Sequence, residues 1–484
     1  MVWRITYERI KEKLGWGKSN DWILTDRTQF DEENLSNDKQ QLVIGLDFGT
    51  AFTKVVIGEQ RIRYAIPFTS FSYKNNPYLL PSILSILDEN DECILGETIG
   101  AKTVIDDLKM RLINGDFSDD TKIYIVSYLS LVLRYSRGWL LDTQKKTYQD
   151  KLLIWYVNIG LPTDSYDNTK LSDLYADLIQ TAWTVSVLPG PVSLGRVRDY
   201  INKVDIKKAK LPPPYKYRLL DRGLINQFPE FAVQLVGYVR SPRRQESLHM
   251  LIDVGAGTLD ITTFNIYKNQ EEEDLYPIFA QDVKPLGARF LMIHRQKTNG
   301  IESNKIPSSF DKIPTDESFA KSVNISIEQL QNYDIPFSNL INSLINGILK
   351  YTKEKRYRKA TQWENGIPTF FCGGGASIDF YQHIFSEFQL KRPPYKIIPM
   401  QLDKPSDLNA PELPDNSYNR LSVAYGLSFD PYDIGEIRKK SYVPDDIKTG
   451  TEPAEGGIIE CPLCRGTGEP MGACPRCGGT GMLR

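Results

Sequence analysis

Apolar positions follow two rhythms along this chain. LVIGL (42–46) and TKVVIG (53–58) are short apolar runs on either side of a turn-like segment, and RIRYAI alternates after Gly58-Glu59-Gln60. Runs of this length, bounded by turn residues, predict a strand meander. HMLIDV, LDITTFNIY and LYPIFAQDV repeat the rhythm from His249 to Val283. LLIWYVNIGL (152–161) and TFFCGG (369–374) are continuous apolar stretches that predict strands buried on both faces. Helical spacing marks Ile123 to Leu140, Leu171 to Val185, Gly287 to Lys297 and Ser338 to Lys353, the last strongly amphipathic. Strands and helices therefore alternate from Leu42 to Phe429, the signature of an α/β architecture.

Outside that span the pattern changes. Val2 to Leu14 reads as an amphipathic helix, with Trp3, Ile5, Ile10 and Leu14 partly on one side, and Asp26 to Gln40 as a polar linker. Lys203, Lys207, Lys208, Lys210, Lys216 and Arg218 surround Pro212-Pro213-Pro214, which rules out regular structure there and predicts an exposed basic insertion. The expected units are an accessory segment at 1–40, a first half at 41–247 carrying the insertion at 203–218, a second half at 248–429, a linker at 430–456 and a cysteine module at 457–484.

The second half repeats the first. IGLDFGTAFTKVVIG and LIDVGAGTLDITTFNI share one plan: apolar strand, Asp, Gly-containing turn with Thr, apolar strand. Two copies imply two related half-domains with a ligand between them. The chemistry of the turns suggests which ligand. Gly49, Gly255 and Gly257 let backbone N–H groups approach a phosphate, and Thr50 and Thr258 add hydroxyls. Asp47 and Asp253 end apolar strands. A carboxylate repels a phosphate but can hold Mg²⁺, usually through water. Facing turns would clamp a nucleotide's phosphates around one metal ion.

Charge and composition narrow the alternatives. Lys and Arg number 59 against 61 Asp and Glu, a net charge of −2, which does not call for nucleic acid. The most apolar stretch, Ile123 to Leu133, is interrupted by Tyr124, Ser127, Tyr128 and Ser130, and the start, MVWRITYERIKEKLGW, lacks a signal-peptide core. A soluble protein with no membrane partner is expected. With three histidines, imidazole-centred chemistry finds little support. Of six cysteines, four crowd the last 24 residues, which points to a reducing, cytoplasmic setting.

The two turns, with their flanking segments, resemble the actin–Hsp70–sugar kinase superfamily, and within it the Hsp70 nucleotide-binding domain. IGLDFGTAFTKVVI is similar to the first phosphate motif, MLIDVGAGTLDITTF to the second and TFFCGGGAS to the adenosine motif. YLLPSILSILDENDECILGETIGAK, LLIWYVNIGLPTD, NQFPEFAVQLVGYV, VKPLGARFLM and RLSVAYGLSF resemble the intervening segments in the family's order. The resemblance spans residues 42–429. It implies a two-lobed actin-like ATPase fold with duplicated ribonuclease H-like domains, binding ATP or ADP with Mg²⁺.

The resemblance assigns roles residue by residue. Asp47 and Asp253 would organise Mg²⁺. Gly49, Thr50, Gly255, Gly257 and Thr258 would contact phosphates, and Gly373 and Gly374 the base and ribose. Glu230 would help place the attacking water, and Lys109 would stabilise charge on the γ-phosphate. Lys54 stands where actin-like members place a phosphate-contacting lysine and Hsp70 proteins usually do not. Ser377 stands where an adenine-stacking arginine often lies. Only about 55 residues follow the closing helix, too few for the Hsp70 peptide-binding domain.

In the tail, Cys461, Cys464, Cys474 and Cys477 form two C-x-x-C pairs, each followed by x-Gly-x-Gly. Four thiolates at this spacing suit structural Zn²⁺, whose binding holds such coreless segments folded. The pattern resembles half of the zinc region of DnaJ proteins. Together these readings lead to an ATP-driven conformational switch with slow hydrolysis, related to chaperones and read out by a protein partner or client. The alternatives are an actin-like filament-forming ATPase and a non-hydrolysing ATP-binding scaffold. A sugar or acetate kinase is weaker, lacking a second-substrate motif.

Overall fold

The structure, a computed structural model, describes residues 39–71, 76–88, 90–148, 151–162, 169–188, 190–201, 219–268, 274–300, 313–390 and 395–438, together with the backbone at 459–460 and 482–483. The expected N-terminal helix, the basic insertion at 203–218 and the four tail cysteines lie outside the described residues.

Two seven-stranded sheets form the frame. The five central strands of the first are β1 (Lys39–Phe48), β2 (Phe52–Gly58), β3 (Arg63–Ala65), β4 (Leu152–Leu161) and β5 (Ile225–Pro229). β2 pairs antiparallel with both β1 and β3, whereas β4 runs parallel to β1 and β5 parallel to β4. The five central strands of the second are β6 (His249–Val254), β7 (Leu259–Phe264), β8 (Asp274–Lys284), β9 (Ile367–Cys372) and β10 (Ile397–Met400). Its pairings repeat the first: β6/β7 and β7/β8 antiparallel, β6/β9 and β9/β10 parallel. Both cores thus have the order third–second–first–fourth–fifth, the duplication the repeated motif implies.

Period-two alternation distributes the strand side chains between layers. Leu42, Ile44, Leu46, Val55 and Ile57 pack with helices α1 (Leu108–Ile113), α2 (Asp119–Thr143) and α3 (Thr169–Val187), while Val56 turns the other way. There it meets Leu251, Phe264 and Phe370 of the second sheet, together with α4 (Glu230–Gln234) and Ala424 and Leu427 from later in the chain. Met250, Ile252, Val254 and Ile261 complete a third core against α6 (Ile327–Tyr351) and α7 (Asp379–Leu390). The helix after β8, α5, covers Ala288–Thr298. The middle core, fed by both sheets, ties the halves together.

A short late helix, α8 (Ser422–Leu427), fits into that middle core because glycines clear its path. A Cβ on Gly45 of β1 would lie 2.3 Å from the Ala424 carbonyl oxygen, and one on Gly426 would lie 1.8 Å from that of Val233. Both collisions are with backbone, which cannot rotate away. Gly426→Ala is therefore expected to cost about 3 kcal/mol or more by separating α8 from α4. A denaturant midpoint within error of the wild type would show that the helices do not meet this closely.

Three sequence boundaries need correction. The helix expected from Ser338 begins at Ile327 and runs through Pro336, because Ser326 and Gln329 form a reciprocal capping box and Leu330, Asp334 and Phe337 are buried. The second half does not keep the chain to residue 429, since Leu408–Asn409 pairs parallel with β3 and α8 packs on the first sheet. The linker does not begin at 430. Residues Glu436–Arg438 pair parallel with β8, with Ile434 and Ile437 buried.

One buried polar group gives the fold an acid limit. The His249 ring lies between Phe264 and Phe370, near-parallel to both at 5.5 and 6.1 Å. Its Nδ1–H donates to the Ser247 carbonyl (2.6 Å), and Nε2 accepts from the Tyr238 hydroxyl (3.2 Å). Burial pushes its pKa down to about 4. The unfolded chain therefore takes up this proton first as pH falls below the ordinary 6.5. Native stability should drop by about 3 kcal/mol between pH 6.5 and pH 4 on this account. His249→Phe, which keeps the stacking, should lose that share of the acid slope in urea titrations at pH 7 and pH 5.

Candidate nucleotide and metal site

Each half brings one turn to a shared cavity of about 400 Å³. In the first, Asp47 is the penultimate residue of β1, and the β1–β2 register places Lys54 opposite it. Lys54 Nζ donates to Asp47 Oδ2 at 2.8 Å. Gly49 is required here because a Cβ would sit 2.4 Å from the Phe52 carbonyl oxygen. Ser82 braces the turn, its Oγ donating to the Gly49 carbonyl (2.8 Å) and its N–H to that of Ala51 (2.9 Å). That accounts structurally for Pro81-Ser82 in the resemblance.

The second turn has the same plan with one change of charge. Asp253 occupies the matching place in β6, and the β6–β7 register sets Asp260 opposite it. Lys54 and Asp260 follow their partner aspartates at the same interval, so the two turns differ as Asp/Lys and Asp/Asp. The Gly255 N–H closes the turn onto the Thr258 carbonyl at 2.9 Å. The N-terminus of α5 seats on the turn, its Ala288 and Arg289 N–H groups donating to the Gly255 and Ala256 carbonyls at 3.0 and 2.8 Å. The halves meet closely: a Cβ on Gly257 would lie 3.7 Å from the Thr50 methyl group and 2.8 Å from the Met110 sulfur.

Lys109 and Glu230 enter from helices. Lys109, the second residue of α1, is buried, and its Nζ donates to Glu230 Oε1 at 2.7 Å. Burial works against its charge, but the Glu230 carboxylate more than offsets this and raises its pKa. One turn along α4, Gln234 Nε2 donates to Asp253 Oδ2 at 2.9 Å. Gly373, at the end of β9, has φ +78° and leaves no room for a side chain beside Asp253. Gly374 follows, and Ser377 Oγ donates back to its carbonyl at 3.2 Å.

The carboxylates are unevenly neutralised. Lys54 and Lys109 answer Asp47 and Glu230, but among the described residues no cation is within ion-pair distance of Asp253 or Asp260. Burial, assisted by the neighbouring Glu230 charge, pushes Asp253 up to about 6 against the hydrogen bond from Gln234. Burial and then the Asp253 charge push Asp260 well above the ordinary carboxylate range, and its Oδ1 has no hydrogen-bond partner. An orphaned acceptor beside a second carboxylate suits a hard divalent cation bound through oxygen and water. The residues present therefore fit Mg²⁺.

Every catalytic and nucleotide-contacting residue expected from the sequence lines this one cavity. Asp260, Gln234 and Arg420 line it too and were not anticipated. Asp260 was within reach, because the interval that singles out Lys54 after Asp47 repeats after Asp253. Gln234 shares a helix face with Glu230. Arg420 carries no local sequence signal. Among the described residues no cluster of potential metal ligands of the His/Cys/Asp/Glu type reaches three, so the metal reading rests on the aspartates in the cleft. No helix among the described residues is long and apolar enough to cross a membrane.

No family model and no curated protein matches the sequence. Among solved structures, the chain is similar to MreB5 of Spiroplasma citri bound to ADP, at 13% identity and TM-score 0.42, covering 79% of this chain and 94% of that one. The same protein bound to AMPPNP gives 13% identity and TM-score 0.42, covering 81% and 95%. The expected closeness to Hsp70 gains nothing from these neighbours. Likeness at this level leaves function to the geometry of the site.

Proposed function

We propose that this chain binds ATP with Mg²⁺ between its two halves and hydrolyses it slowly, the two halves closing on the nucleotide. The observation that carries the reading is the meeting of two Asp-bearing glycine turns across one cavity. Backbone N–H groups around Gly49, Gly255 and Gly257, with the hydroxyls of Thr50 and Thr258, would cradle the phosphates. Asp253 and Asp260, with Asp47 through water, would hold Mg²⁺, which supplies charge neutralisation at the phosphates. Lys109 would move its donors from Glu230 to the γ-phosphate, leaving Glu230 to orient a water. Phosphoryl transfer asks for little beyond such positioning and charge stabilisation.

For the output, self-assembly is the better-supported reading. Lys54, which stands where actin-like members place a phosphate-contacting lysine, lines the cavity, paired to Asp47 and beside Gly49. A chaperone output rests on resemblance alone and draws no support from the site. Sedimentation with ATP, ADP or no nucleotide, alongside phosphate release, tests this. Pelleting that follows ATP supports assembly. Turnover with a constant monomer leaves a switch read by another protein.

Zinc in the tail is a separate proposal, made on cysteine spacing. Ile459–Glu460, before the cysteines in the sequence, pairs antiparallel with Met482–Leu483, after them. The purified protein should carry about one zinc per chain, as a four-thiolate site does. Cys461→Ser with Cys464→Ser should lose that zinc by elemental analysis while keeping ATP turnover.

A further inference from the structure

Met292, Ile313, Pro314 and Thr315 line the cavity from two segments separated in sequence. Met292 belongs to α5, whose first residues, Ala288 and Arg289, seat on the second phosphate turn. At 1.5 Å per residue, Met292 lies about 6 Å further along the helix. Residues 313–315 lead into a short helix, Asp316–Ser322, which Thr315 caps by accepting from the Ser318 N–H at 3.2 Å. The core beneath this wall is small. Among the described residues its buried members are Met292, Phe319, Ala320 and Leu330.

Arg295 joins these pieces. It stands three residues after Met292, on the same face of α5, and is fully buried. Its Nε donates to both carboxylate oxygens of Asp334 at 3.1 Å, and its Nη2 to Asp334 Oδ2 at 2.6 Å. The same Nη2 donates to Asp316 Oδ1 at 2.9 Å. Asp334 belongs to α6, and Asp316 opens the short helix directly after the cavity-lining Thr315. One guanidinium thus ties three helices, with the Phe319 and Phe380 ring centres 5.6 and 5.8 Å from its Cζ. A buried ion pair contributes little net stability, because desolvation offsets the attraction. The rigid fork of an arginine does fix the distance and angle between the elements it joins. The triad is therefore better suited to holding geometry than to adding stability.

Resting on the proposed nucleotide reading, we infer that Arg295 and Asp316 are positioning residues for the ligand's base. They hold the wall at 313–315 against Met292, and the apolar surface that results takes the aromatic ring system of a nucleoside. Neither residue lines the cavity, so both act through the wall. α5 carries both ends of the arrangement: its first residues rest on the turn that takes phosphates, and Met292 and Arg295 follow about a sugar's length along it. The aspartates and turns then set affinity for the phosphates and metal, and the Arg295 triad sets affinity for the nucleoside, independently of the metal.

Equilibrium binding of adenosine, and of ATP in Mg²⁺ and in EDTA, to the full chain tests the inference, at a temperature where melting curves show each variant folded. Asp316→Ala cuts only the link to the wall. Its side chain is 19% exposed, and the buried Arg295–Asp334 pair stays in place. It should weaken adenosine and ATP by the same factor, about 10-fold, because a smaller fraction of molecules holds the wall in position. The ratio of ATP affinities in Mg²⁺ and in EDTA should not change. Asp316→Asn keeps an oxygen for Arg295 Nη2 and should stay within about 3-fold of the wild type. A lower melting temperature with both affinities intact in Asp316→Ala would make the triad merely stabilising and overturn the inference. So would a loss confined to ATP, which would put the wall at the phosphates, or an equal loss in Asp316→Asn, which would assign the effect to the charge in the first turn of the short helix. A wild-type chain that binds ATP but not adenosine would also overturn it, since the wall would then take no base. A wild-type chain that binds neither ligand defeats the nucleotide reading itself, a different outcome from a chain that binds both and is indifferent to Asp316.

Discussion

Asp253→Asn should abolish ATP turnover and make the unliganded protein harder to unfold. Both effects come from one cause. Asp253 is a half-buried carboxylate beside Glu230 and Asp260, and desolvation holds its pKa at about 6 against an ordinary 3.8. The folded state therefore holds its proton more tightly than the unfolded chain does. The cost of ionising it is absent below pH 3.8, builds as pH rises towards 6, and is fully present at pH 7. By linkage that cost is about 3 kcal/mol. Asparagine removes the charge and keeps an oxygen for Gln234 Nε2, which now donates to Asp253 at 2.9 Å. A gain of about 1–3 kcal/mol is expected at pH 7, and little or none near pH 4. Turnover should fall by about 10³-fold or more, as on removal of a central electrostatic element. Stability bought by deleting a functional charge is the trade-off expected of a strained site. Denaturant melts and phosphate release on the same samples decide it. A variant that is less stable than the wild type, or as active, would contradict the account.

Lys109→Met should cost both stability and rate, and the two costs should separate in a double variant. The ammonium is buried and donates to Glu230 at 2.7 Å, with side-chain exposures of 5% and 23%. Removing the cation leaves Glu230 facing Asp253 and Asp260 without compensation. The partial exposure of Glu230 tempers the cost to about 2 kcal/mol. Lys109→Met with Glu230→Gln should recover most of that, because neither charge is then left alone. Turnover should not recover. It should fall about 10²- to 10³-fold in the single variant and stay down in the double. If the double variant regains activity with stability, Lys109 only holds Glu230 in place and touches no phosphate.

The central strands were legible because the physics behind them is local. Val55, Val56 and Ile57 alternate between two cores as a period of two requires, and the apolar run LLIWYVNIGL forms a strand that buries Leu153, Trp155, Val157, Ile159 and Leu161 on one face, with Ile154 and Tyr156 only half-buried on the other. The cavity was legible because Asp47-Phe48-Gly49-Thr50 and Asp253-Val254-Gly255-Ala256-Gly257-Thr258 each state their own turn. Boundaries set by distant contacts were not. A reader of local rules stops the helix at Pro336, but the capping box at Ser326 and the buried Leu330 and Asp334 hold it on both sides of the proline. Nothing near Leu408 tells that it pairs with Arg63, across more than 300 residues, or that Ile437 returns to the second sheet.

The site shows the same division. Lys54 and Glu230 lie in recognisable segments. Arg420 reaches Gly374 only because α8 crosses between the sheets, a route made by Gly45, Gly58 and Gly426 together. Cys93 and Cys372 read as ordinary buried cysteines, and burial does push the Cys93 thiol up to about 12 and Cys372 well above its usual value.

Equilibrium binding of ATP to the wild-type chain, with Mg²⁺ and with EDTA, beside Asp253→Ala and Asp260→Ala, tests the central claim most directly. The account predicts saturable binding to one site per chain, weakened about 10-fold or more by EDTA and by either substitution in the presence of Mg²⁺. Binding that ignores both the metal and the aspartates, or no binding at all, would contradict it.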